Sequence, residues 1–265
     1  MRRIHLAGLG WVLLCAGAGC SSLFMPAPPP VNPDGSIEAQ TPPGQPGGTG
    51  SFVIRVGGKP EGEISAFLWK GQLCYRAGRC RTDTKLPEGY PRPTPPGAME
   101  IKRYPEVRRA EVSGSEGLGW SGSRGFWPLF RHISRRDIAM TAPVEMEFAG
   151  AAGDANEARE WRMAFLYERA DLGPTGTDPS DARVEVRDMP PVTVLTIGVR
   201  GRRGLYPAEH ELEKLLRWLD ARPDWEPAGP VRVLGYNGPN FRADDRWWEV
   251  QLPIRPSTSK SPAPR

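Results

Sequence analysis

Histidine is almost missing from this sequence: there are three in 265 residues, and His5 lies just ahead of the first apolar run, which leaves His132 and His210. Two histidines cannot build an ordinary multi-histidine metal site. A serine triad would have to use one of them, and neither sits in a recognisable motif. No Walker loop, dinucleotide fingerprint or His-Glu-x-x-His motif occurs. A strong charge of one sign is missing too. The formal net charge is +4, from 35 basic and 31 acidic residues, and no run of basic residues is interleaved with aromatics. Nucleic acid is therefore not an expected partner. Hydrophobic residues make up only 38% of the chain. The N-terminal apolar run is far shorter than the ~20 residues that a membrane-spanning helix needs.

What the chain has in excess is proline and glycine, 30 and 31 residues, and they cluster. Residues 26–50 hold eight prolines and five glycines among 25 positions. Such a segment buries no core and reads as a tether, reaching up to roughly 75 Å if extended. Before it, Arg2 and Arg3 precede an apolar run from Leu6 to Ala16. The small residues Ala16-Gly17-Ala18-Gly19 then lead directly into Cys20, Ser21 and Ser22. This resembles a bacterial lipoprotein signal peptide over residues 1–19, although Gly17 stands where leucine is usual. The resemblance implies a lipidated Cys20, contact with a membrane through that anchor, and export to the cell envelope. The serine after the cysteine resembles outer-membrane sorting. Without Arg2 and Arg3 the balance is 33 basic to 31 acidic residues.

The remaining divisions follow from composition: a tether at 20–51, a small cysteine-containing appendage with a proline-rich linker at 52–98, a main domain at 99–254, and a tail at 255–265. In the appendage, Phe52 to Val56 and Ile64 to Trp69 read as strands. Cys74 and Cys80 are the cysteines left if Cys15 is removed and Cys20 lipidated. In an exported protein a disulfide between them is expected; free thiols and a two-cysteine metal site are the alternatives. Residues 87–97, with five prolines, form either a second linker or a long ordered loop.

The main domain alternates period-2 and period-3.6 patterns. Strands are expected within Glu100–Val112, then at Trp161–Tyr167, Val184–Arg187, Val192–Val199, Val231–Tyr236 and Trp247–Leu252. Phe126, Leu129, Phe130 and Ile133 form one helical stripe; Ala208, Leu212, Leu215, Leu216 and Leu219 form another, with Pro207 suited to position N1. After the first helix, Met140, Ala142, Val144, Met146 and Phe148 alternate with Thr141, Pro143, Glu145 and Glu147. That is a strand with one apolar side, and Pro143 requires it to lie at an edge, begin late or bend. The order is strands, helix, strands, twice over: an α+β domain of two similar halves.

Residues 126–144 carry a family resemblance. Phe126-x-x-Leu129-x-x-x-Ile133 followed by Ile138-Ala139-Met140-Thr141-Ala142-Pro143-Val144 resembles the signature of the SOUL haem-binding proteins. Met99-Glu100-x-x-x-Tyr104-Pro105, Gly235-Tyr236-Asn237-Gly238-Pro239 and Trp248-Glu249-Val250 resemble its opening and closing strands. The resemblance spans about residues 99–254. Its loop between helix and strand is short here, only Ser134-Arg135-Arg136. The family implies a distorted antiparallel β-barrel of two pseudo-twofold repeats, each with one helix, similar to the effector-binding domains of the gyrase-inhibitor type. It also implies non-enzymatic binding of haem or a related tetrapyrrole.

Such a ligand needs aromatic walls, cations for its propionates and, if iron is ligated, a His, Met, Cys or Tyr. The candidates are His132 as iron ligand, Arg135 and Arg136 for the propionates, and Phe126, Met140, Met146 and Trp247 for the walls. For His132 the plainer reading is a solvated residue on a helix flank; for the two methionines it is ordinary core. Glu249, on the face of Trp247 and Gln251, suggests a second possibility, because related effector-binding domains place a carboxylate in an aromatic cavity that receives amphipathic cations. Some similar folds hydrolyse small electrophiles with such an acid.

Overall fold

The computed structural model describes residues 50–115, 123–148 and 160–257. The leader, Cys20, the tether up to residue 49, Trp120 and the tail from residue 258 lie outside the described residues. In chain order the strands before the first helix are β1 (Phe52–Gly58), β2 (Ile64–Trp69), β3 (Gln72–Ala77), β4 (Cys80–Arg81), β5 (Ala98–Tyr104) and β6 (Val107–Gly114). Helix α1 (Ser123–Arg135) leads into β7 (Val144–Phe148), β8 (Trp161–Leu166), β9 (Gly176–Thr177), β10 (Glu185–Met189) and β11 (Val192–Arg200). Helix α2 (Leu205–Asp220) is followed by β12 (Trp225–Pro227), β13 (Val231–Gly235) and β14 (Trp247–Pro256).

The main sheet runs β1-β5-β11-β14-β13-β7-β8-β6-β10-β9, with β12 paired to β14, and β2-β3-β4 form a second, smaller sheet. The strand pairs of both sheets are antiparallel. Outward from the central β13–β7 pair, one side reads β14, β11, β5 and the other β8, β6, β10. The order has two ends, β1 and β9, so among the described residues the sheet does not close into the expected distorted barrel. The hairpin from β2 to β3 turns on Lys70 and Gly71, both at positive φ, the two-residue geometry whose twist matches that of the strands.

One face of the main sheet is apolar and carries both helices. Leu129 and Ile133 of α1 and Ala208, Leu212, Leu215 and Leu219 of α2 are buried in one cluster with Met146, Val233, Trp248 and Val250 of the sheet. The stripe expected on α1 divides: Leu129 and Ile133 enter the core, whereas Phe126 is only partly buried and Phe130 is 37% exposed. Helix α2 begins at Leu205, so Pro207 sits within its first turn rather than at N1.

Strand β7 begins late, at the residue after Pro143, because proline has no N–H for the ladder. It runs between β13 and β8, in the interior of the sheet. Its second side is not solvent-facing. Glu145 and Glu147 are buried, because the other face of the sheet is covered by the chain's own N-terminal part. Tyr75, Ala77 and Cys80 of the small sheet and Tyr90 pack against Tyr104, Leu166, Leu234, Tyr236 and Trp247. Residues 87–97 are an ordered strap laid over that face. The strap crosses β11 so closely that a Cβ on Gly198 would collide with the carbonyl oxygens of Thr94 and Pro95.

Candidate functional site

Beneath the strap, strands that alternate apolar and charged residues bring their charged sides together. The centre is Glu249, fully buried on β14. Its Oε1 accepts from the Thr94 backbone N–H at 2.6 Å, the Tyr236 hydroxyl at 2.8 Å and Lys102 Nζ at 3.0 Å. Its Oε2 accepts from Gln251 Nε2 at 2.8 Å and Thr196 Oγ1 at 2.9 Å. Burial alone would raise this carboxyl, but the Lys102 charge and the donated hydrogen bonds hold it below its usual range. The Trp247 indole N–H donates to the Thr94 carbonyl at 2.8 Å. Arg92 of the strap grips buried Glu100 through both Nη atoms, at 3.2 and 2.9 Å.

Along the sheet the network continues without a break in polarity. Arg232 donates to Glu145 at 2.7 Å, and Arg109 donates to Glu145 at 2.6 Å, Glu147 at 2.8 Å and Glu111 at 2.9 Å. Burial would push Glu147 up; Arg109 beside it pulls it down to about 2. A paired, hydrogen-bonded network of this kind is what lets so many charges stay in the interior. Glu249 is therefore not the solvated or simply cross-strand-paired residue that the strand pattern suggests. Nor is it an open counter-ion or a free acid, because both its oxygens are engaged by this chain. Trp247 likewise lines no open wall.

His132 is buried, contrary to the solvated reading and to the iron-ligand reading. Its Nδ1 lies 2.6 Å from Asp178 Oδ2 and its Nε2 2.7 Å from the Tyr167 hydroxyl. With Asp178 ionised, Nδ1–H donates to the carboxylate, and both ring nitrogens are occupied. Arg135 and Arg136 also bind Asp178, at 3.1 and 3.2 Å. Burial would raise Asp178, but His132, the Ser180 N–H and the two arginines hold it well below the usual carboxylate range. This cluster clamps the C-terminal end of α1 to the loop that precedes β10. Of the methionines, Met146 is wholly in the core, whereas Met140 is 37% exposed rather than on the apolar side.

The outward face of α1 is different. Trp127, which the sequence reading passed over, is 55% exposed. Phe126 stacks on Phe130 with ring centroids 5.8 Å apart, meets Trp127 edge-on at 5.6 Å, and rests against Phe165 at 5.1 Å. Arg131 and Arg135 are exposed on the same helix. The helix, Ser-Arg-Gly-Phe-Trp-Pro-Leu-Phe-Arg-His-Ile-Ser-Arg, has no acidic residue. That absence was the available signal: an amphipathic helix that is aromatic and basic without a single acid offers a surface to an anionic, apolar partner.

Cys74 and Cys80 are free, buried thiols, so the expected disulfide is not formed. Cys80 pairs in register with Ala77, which shares its face of β3 with Tyr75, whereas Cys74 takes the alternate face. Their Cβ vectors point to opposite sides of the small sheet, a geometry that does not permit a bridge.

The model of the SOUL heme-binding protein family matches residues 92–253. The chain belongs to the SOUL family. No curated protein matches it. Among solved structures, this SOUL protein is similar to the EcmrR C-terminal domain at 12% identity with a TM-score of 0.50, over 60% of this chain and 98% of that one. An EcmrR–DNA complex gives the same identity and TM-score, over 60% of this chain and 57% of that one. A hydrolase from Listeria innocua aligns at 11% identity and a TM-score of 0.44, over 62% of this chain and 93% of that one. At such identities the EcmrR likeness concerns the fold alone. What the family brings is the expectation of a bound ligand.

Proposed function

We propose that this SOUL protein binds haem or a related flat hydrophobic ligand without turning it over, and that the outward face of α1 is its binding surface. The observation behind this reading is Trp127, 55% exposed beside Phe130 on an acid-free helix. Trp127 and Phe130 would hold the face of the ligand, and Arg131 and Arg135 its carboxylates. The aromatic and cationic groups fit such a molecule. An axial role for His132 does not fit, since both its nitrogens are engaged. Met140 is the exposed soft donor. In the same proposal Cys20 is lipidated and the tether holds the domain in the bacterial envelope, at the outer membrane, as residues 1–22 suggest. The mirrored strand order is read as two repeats related by a pseudo-twofold axis.

Titrating the full chain with hemin and following the Soret band tests the reading. A saturable change is expected, weakened several-fold by Trp127→Ser and Phe130→Ser. No saturable change removes the tetrapyrrole. Saturable binding unaffected by Trp127→Ser removes the α1 surface, and turnover of ester substrates removes the non-enzymatic part.

A further inference from the structure

The loop between β11 and α2 contains Arg202-Arg203-Gly204. The Arg203 guanidinium lies across the backbone of Gly235, the last residue of β13. A Cβ there would stand 3.1 Å from its Cζ and collide with Nη1. Gly235 is thus the vacancy in the strand that admits a large cation. Among the described residues, Arg203 has no hydrogen-bond or ion-pair partner. Among the same residues, the charge that acts on it is another cation, Arg246. Arg246 itself donates to the Phe241 carbonyl at 3.2 Å and the Pro239 carbonyl at 2.9 Å, which leaves donors to spare. A second unmet donor belongs to the same face of the sheet. Trp248 pairs directly with Gly235 across the β13–β14 ladder, so its side chain rises from the same face of the sheet. It is 1% exposed, and its Nε1 has no partner.

The surroundings add positive potential. Arg203 immediately precedes Gly204, the N-cap of α2, which has no side-chain cap; the first turn of that 16-residue helix contains no acid. The start of a helix carries roughly half a positive charge. Arg203 is half-buried, a guanidinium cannot shed its proton to escape such surroundings, and a charge partly withdrawn from water without a partner is costly. Burial, and then Arg246, push the Arg203 guanidinium down to about 10. Two donors without acceptors, in a field of one sign, lack one thing: an anion with more than one acceptor oxygen.

We propose that Arg203 and the Trp248 indole N–H, with Arg246 and the start of α2 behind them, form a binding site for the oxyanion of a small ligand, a carboxylate or a phosphate. The guanidinium gives that oxyanion a planar pair of donors and the indole a third from the side. Val144 and Val199, the register neighbours of Gly235 and Trp248, are partly buried apolar residues, so an apolar body attached to the oxyanion has surface to rest on. No residue of this site belongs to α1. Its test is therefore independent of the tetrapyrrole reading.

The experiment is isothermal titration of the full chain at low ionic strength with sodium phosphate and, separately, sodium butyrate, paired with melting curves in each. Saturable one-site binding of at least one anion is expected, and which one tells a phosphate site from a carboxylate site. Arg203→Gln is expected to weaken binding by about tenfold or more, the loss of charge-assisted hydrogen bonds. Trp248→Phe keeps the ring and loses only the N–H, and should weaken it several-fold. Without anion, Arg203→Gln should melt no lower than the parent, since the charge removed had no partner; with anion only the parent should gain. The proposal is overturned if neither anion binds saturably or if both variants bind as the parent does. It is also overturned if Arg203→Gln melts far below the parent in anion-free buffer, which would make Arg203 a structural tie.

Discussion

Glu249→Gln is the sharpest test of the buried network. The parent carboxylate receives five hydrogen bonds at 2.6–3.0 Å while fully buried. A glutamine keeps the shape and one acceptor, but turns an NH2 toward donors. The Thr196 and Tyr236 hydroxyls can rotate to accept; the Thr94 N–H and the Lys102 ammonium cannot. Lys102 would then keep the Arg92 carbonyl, at 2.7 Å, and, as its one remaining carboxylate, Glu100 at 3.9 Å. Breaking a buried pair from one side costs about 3–5 kcal/mol, a large part of the 5–15 kcal/mol that a domain usually has. The double variant with Lys102→Met removes the stranded cation and should recover part of the loss, a coupling of about 2 kcal/mol in a double-mutant cycle. Urea unfolding at pH 7, followed by far-UV circular dichroism, measures both. A loss below about 1 kcal/mol, or no coupling, would mean that Glu249 is solvated and that the strap does not seal it.

The remaining expectations concern acid and thiols. Asp178, Glu147 and Glu249 are all held below their ordinary range when folded, so the stability they contribute is present above the unfolded carboxylate pKa of about 4. It is lost as pH falls from there toward about 2. Melting temperatures should be level from pH 7 to 5 and drop steeply below 4, and a level profile down to pH 2.5 would contradict the ion pairing. Burial pushes Cys74 up to about 11 and Cys80 up to about 12. In the native protein at pH 8 neither should react with an aromatic disulfide reagent, and peptide mapping after unfolding should find both as thiols. Recovery of a Cys74–Cys80 peptide would refute the opposed-face geometry.

Much of the framework was legible from periodicity. The strands from Trp161 to Leu252 and both helices fall where the patterns put them, because one side of each must meet the helix-bearing core. The second face was not legible. Alternation such as Val144-Glu145-Met146-Glu147 tells which side is charged, but not whether another segment covers it. That depends on Thr94 and Tyr90, about 50 residues away, and no local pattern announces it. The same blindness hid Lys102, Arg109 and Arg232, which on sequence alone look like ordinary solvent-facing strand residues. His132 was misjudged for a related reason. Its partners, Tyr167 and Asp178, come from a strand end and a loop whose approach to α1 is purely tertiary. The Cys74–Cys80 spacing suggested a bridge, but the register of β3 and β4 sends the two thiols apart.

The strap also bears on how this protein can be cut and rejoined. A fragment beginning at β5 would keep every strand from β5 to β14 and both helices. It would also leave Glu249 without the Thr94 N–H and Glu100 without Arg92, and would strip Tyr75, Ala77 and Tyr90 from the apolar rim around them. Five carboxylates and their cations would meet water on a face shaped to be dry. Fusions, truncations and transplanted versions of the domain should therefore make their junction ahead of Phe52, where the chain enters the edge of the sheet.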